Sequence, residues 1–319
     1  MNRPLAMLAA LVVSALAVSS ACIATPVSSL DFRMNADSSN RIQLHLYRAD
    51  DRHNGSMTSG FAPSDLAGLD MAALRQPGSH LIRFALIREA GRVDCSGSGG
   101  NAVATGRCGF TPDAGFNAML ESRSIGRPNA EQSYELAMVG ATRDLVDVLA
   151  AHNYPRPDIE KLVELSAVGV DRRFVSDLAA RGYMPKTLDD LVEFAALDIS
   201  PAYIDALGRA GYRNLSAEEI SGLKAVGVEP SLIASLAAAG YRNLSADELQ
   251  QMAALHITPD FIQGFARIGY ANLPVDTLVE LKALDVTPDY VLNLQRHGIR
   301  PASAEKFAEL KAVGVNGLK

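Results

Sequence analysis

The chain has 319 residues, a net charge of −6, few aromatic side chains and no tryptophan. The acidic excess lies in residues 142–319, which contain 24 acidic and 18 basic side chains, whereas residues 1–141 contain 12 of each. A nucleic-acid partner would require clustered cations to neutralise its phosphates, so this charge distribution argues against one. The length allows two domains.

The N-terminus predicts an export signal over residues 1–24. A basic residue precedes an apolar run from Leu5 to Val18, and small residues follow, so we expect cleavage after Ala21 or Ala24. This run is shorter than the roughly 20 residues of a membrane-spanning helix, and no later stretch is as apolar. We therefore expect a periplasmic or secreted protein that does not span the membrane.

The three cysteines have separate expected roles. Cys22 follows one of the two cleavage sites, so a lipid anchor there is an alternative to simple cleavage. Ser19 disfavours the anchor, because a lipoprotein signal usually has Leu or Val at that position. Cys95 and Cys108 predict a disulfide, since an even pair in an exported chain is usually oxidised, and two buried thiols are the alternative. No zinc-site spacing is present, and we expect neither a metal nor a cofactor.

Residues 28–125 predict a small, mostly β domain held by this disulfide. Segments 41–48 and 81–88 alternate polar and apolar residues, as half-buried strands do. The stretch Ser96–Gly100 is interpreted as a mobile hairpin loop inside the disulfide ring, because it has the spacing of neither a nucleophile elbow nor a phosphate loop. Shorter strands are expected over residues 92–95, 102–104 and 107–111, and short helices over residues 64–74 and 114–120.

Residues 142–315 consist of six blocks of 29 residues without an insertion or deletion. A fixed period of this length predicts an α-solenoid of six stacked helical hairpins. In each block a cap residue, often followed by proline, starts the first helix, and a second cap starts the second helix. Residues 129–141 match the second half of a block and predict a capping helix. The whole chain is therefore expected to be an α+β multidomain protein.

Certain block positions hold nearly the same residue throughout. The residue that ends the first helix is Asn153 and then a glycine, which suits a left-handed turn: Gly182, Gly211, Gly240, Gly269 and Gly298. The following residue is a tyrosine in five blocks: Tyr154, Tyr183, Tyr212, Tyr241 and Tyr270. Block position 26 is alanine in all six blocks, which we interpret as a close contact between helix backbones.

The order of these motifs resembles a known group of proteins. RFALIREAG (residues 83–91), a cysteine–glycine turn and FTPDAGF (residues 110–116) precede repeats of the form VGVxPx[LFY][IV] and LxxxGY. This order resembles exported bacterial proteins of unknown function, and similar repeats occur on the extracytoplasmic tails of sensor-type membrane metallopeptidases. The resemblance covers about residues 40–315 and implies a β front domain followed by helical repeats. The metallopeptidase HExxH motif is absent from the sequence, so the resemblance implies no activity.

The repeats predict a non-enzymatic scaffold that binds another protein of the cell envelope. The block positions that vary provide a candidate partner-binding face: Arg209, Arg213, Lys224, Gln250, Gln251, Gln263 and Asn293. No catalytic residue is expected, because the histidines and carboxylates lack the spacing of a catalytic or metal site. Two alternatives are cell-wall glycan binding through the repeat tyrosines and an enzyme or inhibitor function in the N-terminal domain.

Overall fold

The computed structural model describes residues 30–48, 57–301 and 303–315. The expected export signal and Cys22 lie outside these residues. The chain divides into two compact units, of which the first comprises Met1–Leu86 and Val93–Thr111 and the second Ile87–Arg92 and Pro112–Lys319. The predicted α+β class and the Cys95–Cys108 disulfide are confirmed.

A seven-stranded sheet makes up most of the described part of the first unit, in the order β3-β2-β1-β7-β6-β5-β4. Strand β1 pairs antiparallel with both β2 and β7. The strands are β1 (Leu30–Ala36), β2 (Ile42–Arg48), β3 (Met57–Phe61), β4 (Leu66–Ala67), β5 (His80–Arg88), β6 (Gly91–Gly100) and β7 (Val103–Pro112). A 3-10 turn at Pro63–Asp65 and the short helix α1 (Met71–Arg75) precede β5.

Alternating side chains bury one face of this sheet. On β1, Leu30, Phe32 and Met34 are at most 1% exposed, and the ring of Phe32 meets that of Phe84 edge-to-face with centroids 5.1 Å apart. The disulfide joins β6 to the adjacent strand β7, and both of its cysteines are buried. The period-2 pattern of apolar residues thus sets which face forms the core.

Several local expectations for this unit were wrong. The stretch Ser96–Gly100 is the end of strand β6 and not a mobile loop, and the turn lies at Asn101 and Ala102. The expected short strands are two ten-residue strands. The helix expected over residues 64–74 is limited to the 3-10 turn and the five-residue α1, and strands β1 and β3 were not predicted.

The glycines of β6 and β7 are explained by close approach of the two strands. A Cβ atom added to Gly97 would lie 2.0 Å from the carbonyl oxygen of Thr105, and one added to Gly106 would lie 2.3 Å from that of Ser96. No side chain fits at either position, so glycine is required for packing and not for turn formation.

The second unit contains the remaining helices. Helices α2 (Ala114–Ser122) and α3 (Ala130–Val139) precede the repeats, and Asn129 caps α3. The first helices of the blocks begin 29 residues apart: α4 (Arg143–Ala151), α6 (Arg172–Ala180), α8 (Pro201–Arg209), α10 (Pro230–Ala238), α12 (Pro259–Arg267) and α14 (Pro288–Arg296). The second helices are α5 (Ile159–Ala167), α7 (Leu188–Ala196), α9 (Ala217–Ala225), α11 (Ala246–Ala254), α13 (Val275–Ala283) and α15 (Glu305–Ala312).

The second helices pack closely on one another. Among the described helices, close contacts run without a break from α3 to α5, α7, α9, α11, α13 and α15, whereas α4 and α6 are the one pair of first helices that approach as closely. Five of the six second helices contribute two buried apolar side chains one turn apart, such as Leu162 and Leu165 in α5 and Leu278 and Leu281 in α13, whereas the buried residues of α15 are Phe307 and Ala308. These pairs form an apolar seam between successive hairpins.

The interpretation of the repeated alanine was wrong. Alanine at block position 26 is exposed in all six blocks: Ala167, Ala196, Ala225, Ala254, Ala283 and Ala312. It is the last residue of its helix in each case. Its exposed side chain is not enclosed between two helix backbones, and the high helix propensity of alanine is the physical property that suits this position.

No single helix in the described ranges is both long and apolar enough to cross a membrane. Helices α9 and α10 pass that test only when taken together, and the chain bends by 81° between them.

Gly97→Ala tests the close approach of β6 and β7. We expect it to destabilise the sheet by roughly 1–3 kcal/mol, because the added methyl group must displace the backbone of β7. Hydrogen exchange of the β6 and β7 amides, followed by mass spectrometry, would show faster exchange in this variant. Gly109→Ala in β7 is the matched control, since its added Cβ meets no described atom within 4 Å, and its exchange should stay unchanged.

Candidate functional site

Three grooves lie at equivalent places in the second unit, each named here after the first helix that forms its floor. The α4 groove has a volume of about 470 Å³ and includes Val146, Leu149, Tyr154 and Arg156 in its lining. The α8 groove, of about 380 Å³, is lined by Tyr183, Ile204, Leu207, Arg209, Tyr212, Arg213 and neighbouring residues. The α10 groove, of about 430 Å³, is lined by Tyr212, Ile233, Ala237, Tyr241, Arg242 and neighbouring residues.

The packing of the helices explains where the grooves form. The second helices close against each other along the apolar seam, whereas α8 lies farther from α6 and α10 than α9 lies from α7 and α11. Gaps therefore open on either side of α8, next to the connection that joins the first and second helix of a block. We call this connection, block positions 10–16, the elbow. The α4 groove instead lies between α4 and the residues that follow α2, Arg123 and Ile125.

The elbow has the same backbone course in successive blocks. Gly211 and Gly240 end their first helices with φ angles of 106° and 102°, in the left-handed region that side chains rarely adopt. Gly182, Gly269 and Gly298 also have positive φ, and Asn153 takes the equivalent conformation in the first block. The following tyrosine is consequently directed in the same way from block to block.

The elbow tyrosines connect neighbouring blocks. The hydroxyl of Tyr212 donates to the carbonyl oxygen of Leu244 in the next elbow at 2.8 Å, and Tyr241 makes the same bond to Leu273 at 2.6 Å. All five elbow tyrosines are half-buried: Tyr154, Tyr183, Tyr212, Tyr241 and Tyr270. Their rings pack between blocks and are not presented as a row of exposed rings, which a glycan ladder would require.

Individual elbow tyrosines differ in their partners. Tyr183 stacks on Phe194 with ring centroids 5.7 Å apart, and Tyr270 meets Phe307 edge-to-face at 5.5 Å. The hydroxyl of Tyr154 is buried and has no hydrogen-bond partner among the described residues. Burial raises the pKa of Tyr154 and of Tyr183 to about 12.

Arginines form the rims of the α8 and α10 grooves. The Nε of Arg213 donates to the carbonyl oxygen of Gly208 at 3.2 Å, and the Nε of Arg242 donates to that of Ala237 at 3.4 Å. The two bonds occupy equivalent positions, because both acceptors lie at block position 9 in the last turn of a first helix, where each also accepts a bond from the backbone N–H of the following glycine, Gly211 or Gly240. Arg209 is exposed and has no partner among the described residues.

Two residues of the predicted partner-binding face, Arg209 and Arg213, line the α8 groove together. Gln263 and Asn293 lie on the first helices α12 and α14. Gln251 is exposed on the second helix α11, and the amide of Gln250 packs against Gly222 of α9, since a Cβ on that glycine would lie 2.7 Å from it. The predicted residues thus lie on first helices, on second helices and in one elbow.

Lys224 has an intramolecular role. Its ammonium lies 4.7 Å from the centroid of the Tyr203 ring and pairs with Glu229 at 3.3 Å. Lys282 and Lys311 lie over Phe261 and Tyr290 in the same way, at 5.0 and 4.7 Å. In each case the aromatic residue is at block position 4 and the lysine is at block position 25 of the same block. These lysines therefore stabilise their own hairpins through cation–π contacts.

Sequence reasoning missed Arg156, Arg181 and Arg242, which also line the grooves. The sequence signal that could have identified these arginines is the distribution of charged residues over the block positions. The six elbows contain nine Arg or Lys residues and no Asp or Glu, although residues 142–319 have 24 acidic side chains. Asp205, which pairs with Arg181 at 2.8 Å, is the one carboxylate in the lining of these three grooves of the described chain.

Comparisons of this chain with protein families, curated proteins and solved structures give no match. Within the described residues, no group of three His, Cys, Asp or Glu side chains is arranged to hold a metal ion.

Removing hydroxyl groups from the elbow tyrosines tests their role between blocks. Tyr212→Phe and Tyr241→Phe should each lower the free energy of unfolding by about 1 kcal/mol, the usual worth of one hydrogen bond. Tyr154→Phe is the matched control, because it removes a buried hydroxyl that has no partner among the described residues. It should leave stability unchanged or raise it. Urea unfolding followed by circular dichroism at 222 nm measures all three; an equal loss in all three variants would contradict this role.

The buried tyrosines also predict a pH dependence. Burial raises the pKa of Tyr154, Tyr183 and Tyr203 to about 12, from an ordinary value of 10.0. Between these values the folded chain retains protons that the unfolded chain releases, so stability falls as the pH rises from about 10 to about 12. A pH titration followed by tyrosinate absorbance at 295 nm should show some tyrosines that ionise near pH 12 in the native protein. The same tyrosines should ionise near pH 10 in guanidinium. Tyr203→Phe should reduce the amplitude of the change near pH 12.

Proposed function

We propose that this chain is an exported, non-enzymatic scaffold whose helical repeats bind another protein in the cell envelope. In this proposal residues 1–24 are a cleaved export signal, and the protein is periplasmic or secreted. The six hairpins form an α-solenoid, as in the exported bacterial repeat proteins that the sequence resembles. The disulfide supports an oxidising compartment, because such bonds persist outside the cytosol.

The recurrence of the grooves is the observation that carries this proposal. Equivalent grooves occur beside α4, α8 and α10, and each has apolar walls and at least one arginine. The backbone of the elbow repeats while its side chains vary, for example from Met184 to Arg213 and Ala271 at block position 14. A constant scaffold with variable side chains along a row of grooves is typical of repeat proteins that bind polypeptides.

A photo-crosslinking amino acid placed at the α8 groove tests the proposal. The full-length protein would carry p-benzoylphenylalanine at Arg209, which lines this groove, and would be irradiated in the source cells. We expect a covalent adduct with one or a few proteins, identified by mass spectrometry.

The matched control carries the same amino acid at Gln251, which is also exposed but lies on a second helix. We expect no adduct from this position. Adducts of the same pattern from both positions, or none from either, would contradict a partner-binding role for the grooves.

A further inference from the structure

We propose that the α8 and α10 grooves together bind an extended acidic segment of the partner polypeptide, with Arg213 and Arg242 each holding one carboxylate. This inference rests on the proposed function and specifies the chemistry of the partner. Four observations carry it: the charge of the elbows, the orientation of the two arginines, the apolar walls, and the repeat spacing.

The charge of the elbows is opposite to that of the repeats as a whole. Residues 142–319 have more acidic than basic side chains, 24 against 18, yet the elbows contain nine basic residues and no acidic ones. In the α8 groove, Arg181 is paired with Asp205, whereas Arg209 and Arg213 have no carboxylate partner among the described residues. The groove therefore attracts carboxylates that the chain itself does not supply.

Arg213 and Arg242 are held in matching orientations. Each uses Nε to bind a carbonyl at the end of its own first helix, at 3.2 and 3.4 Å. The terminal nitrogens of each guanidinium remain available, and they are the fork that binds a carboxylate bidentately. Anchoring through Nε reduces the side-chain entropy that binding would otherwise cost.

The apolar walls suit a polypeptide. Ile204 and Leu207 line the α8 groove, and Ile233 and Ala237 line the α10 groove. Tyr212 lines both, and its hydroxyl is fixed by the bond to Leu244, so it forms a rigid ridge between the two grooves. A uniformly charged polymer gains nothing from such walls, whereas a peptide with a few carboxylates buries its apolar side chains there.

The spacing of the grooves sets the spacing of the carboxylates. Closely packed helices lie about 10 Å apart, and α8 and α10, which are one repeat apart, lie farther from each other than the closely packed second helices do. An extended chain advances about 3.3 Å per residue, so a peptide that crosses from one groove to the next needs acidic residues at least three positions apart. The shortest such segment is Asp/Glu-x-x-Asp/Glu, with apolar residues between the acids.

Fluorescence anisotropy of the full-length protein with a labelled 12-residue peptide tests this inference. The probe has Asp at every third position among Thr, Val and Pro, which keep it extended. We expect saturable binding that weakens about tenfold in Arg213→Gln/Arg242→Gln, since two exposed charge pairs are lost. Binding should also weaken at 0.5 M salt and with the peptide in which Asn replaces Asp.

The control variant is Arg172→Gln/Arg173→Gln, which removes the same charge from exposed positions at the start of α6, outside the three grooves. Its affinity should be unchanged. The charge-reversal variant Arg213→Glu/Arg242→Glu should no longer bind the Asp peptide and should bind the peptide in which Lys replaces Asp. Circular dichroism verifies that each variant is folded.

Two results would overturn the inference. One is an equal loss of affinity in both double Gln variants. The other is equal affinity for a peptide with Asp at every third position and a peptide with Asp at every sixth position. Tighter binding of polyphosphate than of the Asp peptide, lost in the same groove variant, would assign the grooves to a polyanion instead. If the Asp peptide does not bind but position 209 gives a specific crosslink, the inference of an acidic partner segment is refuted and the proposed function is retained.

Discussion

The apolar seam between second helices is the interaction on which the rest of the second unit depends. The helices α4 to α14 have nine residues each, and isolated helices shorter than about 12–15 residues are marginal in water. Their stability has to come from packing on neighbours. Because Leu162, Leu191 and Leu249 are fully buried at the same block position, each hairpin covers the apolar side of the next. A polar residue at one of these positions would leave two hairpins without their shared core.

The seam also determines where the chain is open to other molecules. Second helices that meet closely leave the first helices farther apart, and the resulting gaps are the grooves beside α8 and α10. The tyrosine bonds from one elbow to the next then fix the register of the two elbows that border a groove. Regular spacing of the arginines is thus a consequence of packing on the opposite side of the hairpin.

Features that depend on residues close together in the sequence could be predicted, whereas contacts between residues far apart in the sequence could not. The capping boxes at Ser216 and Ser245 are present because a cap and its partner lie three residues apart. By contrast, the glycines of β6 give this strand the composition of a loop. Glycine is required at Gly97 because the carbonyl oxygen of Thr105 on β7 lies too close for a side chain, and no local sequence pattern reveals that contact.

The repeated alanine at block position 26 shows that repetition indicates a shared constraint. It does not show whether the constraint is burial or helix propensity. Variation between blocks has a related limit, because it does not tell which side of the hairpin a residue occupies. Gln251 and Arg209 both vary, yet one lies on a second helix and the other lines a groove.

The helix dipole provides a simpler account of the elbow cations, and it explains part of the pattern. Cations near the end of a first helix and acids such as Glu218 at the start of a second helix both complement their dipoles. That account places the charges, but it requires only that a cation be near the helix end. It does not explain why Arg213 and Arg242 engage the helix through Nε alone, or why the walls beside them are apolar. Binding of an acidic polypeptide accounts for both features with the same residues.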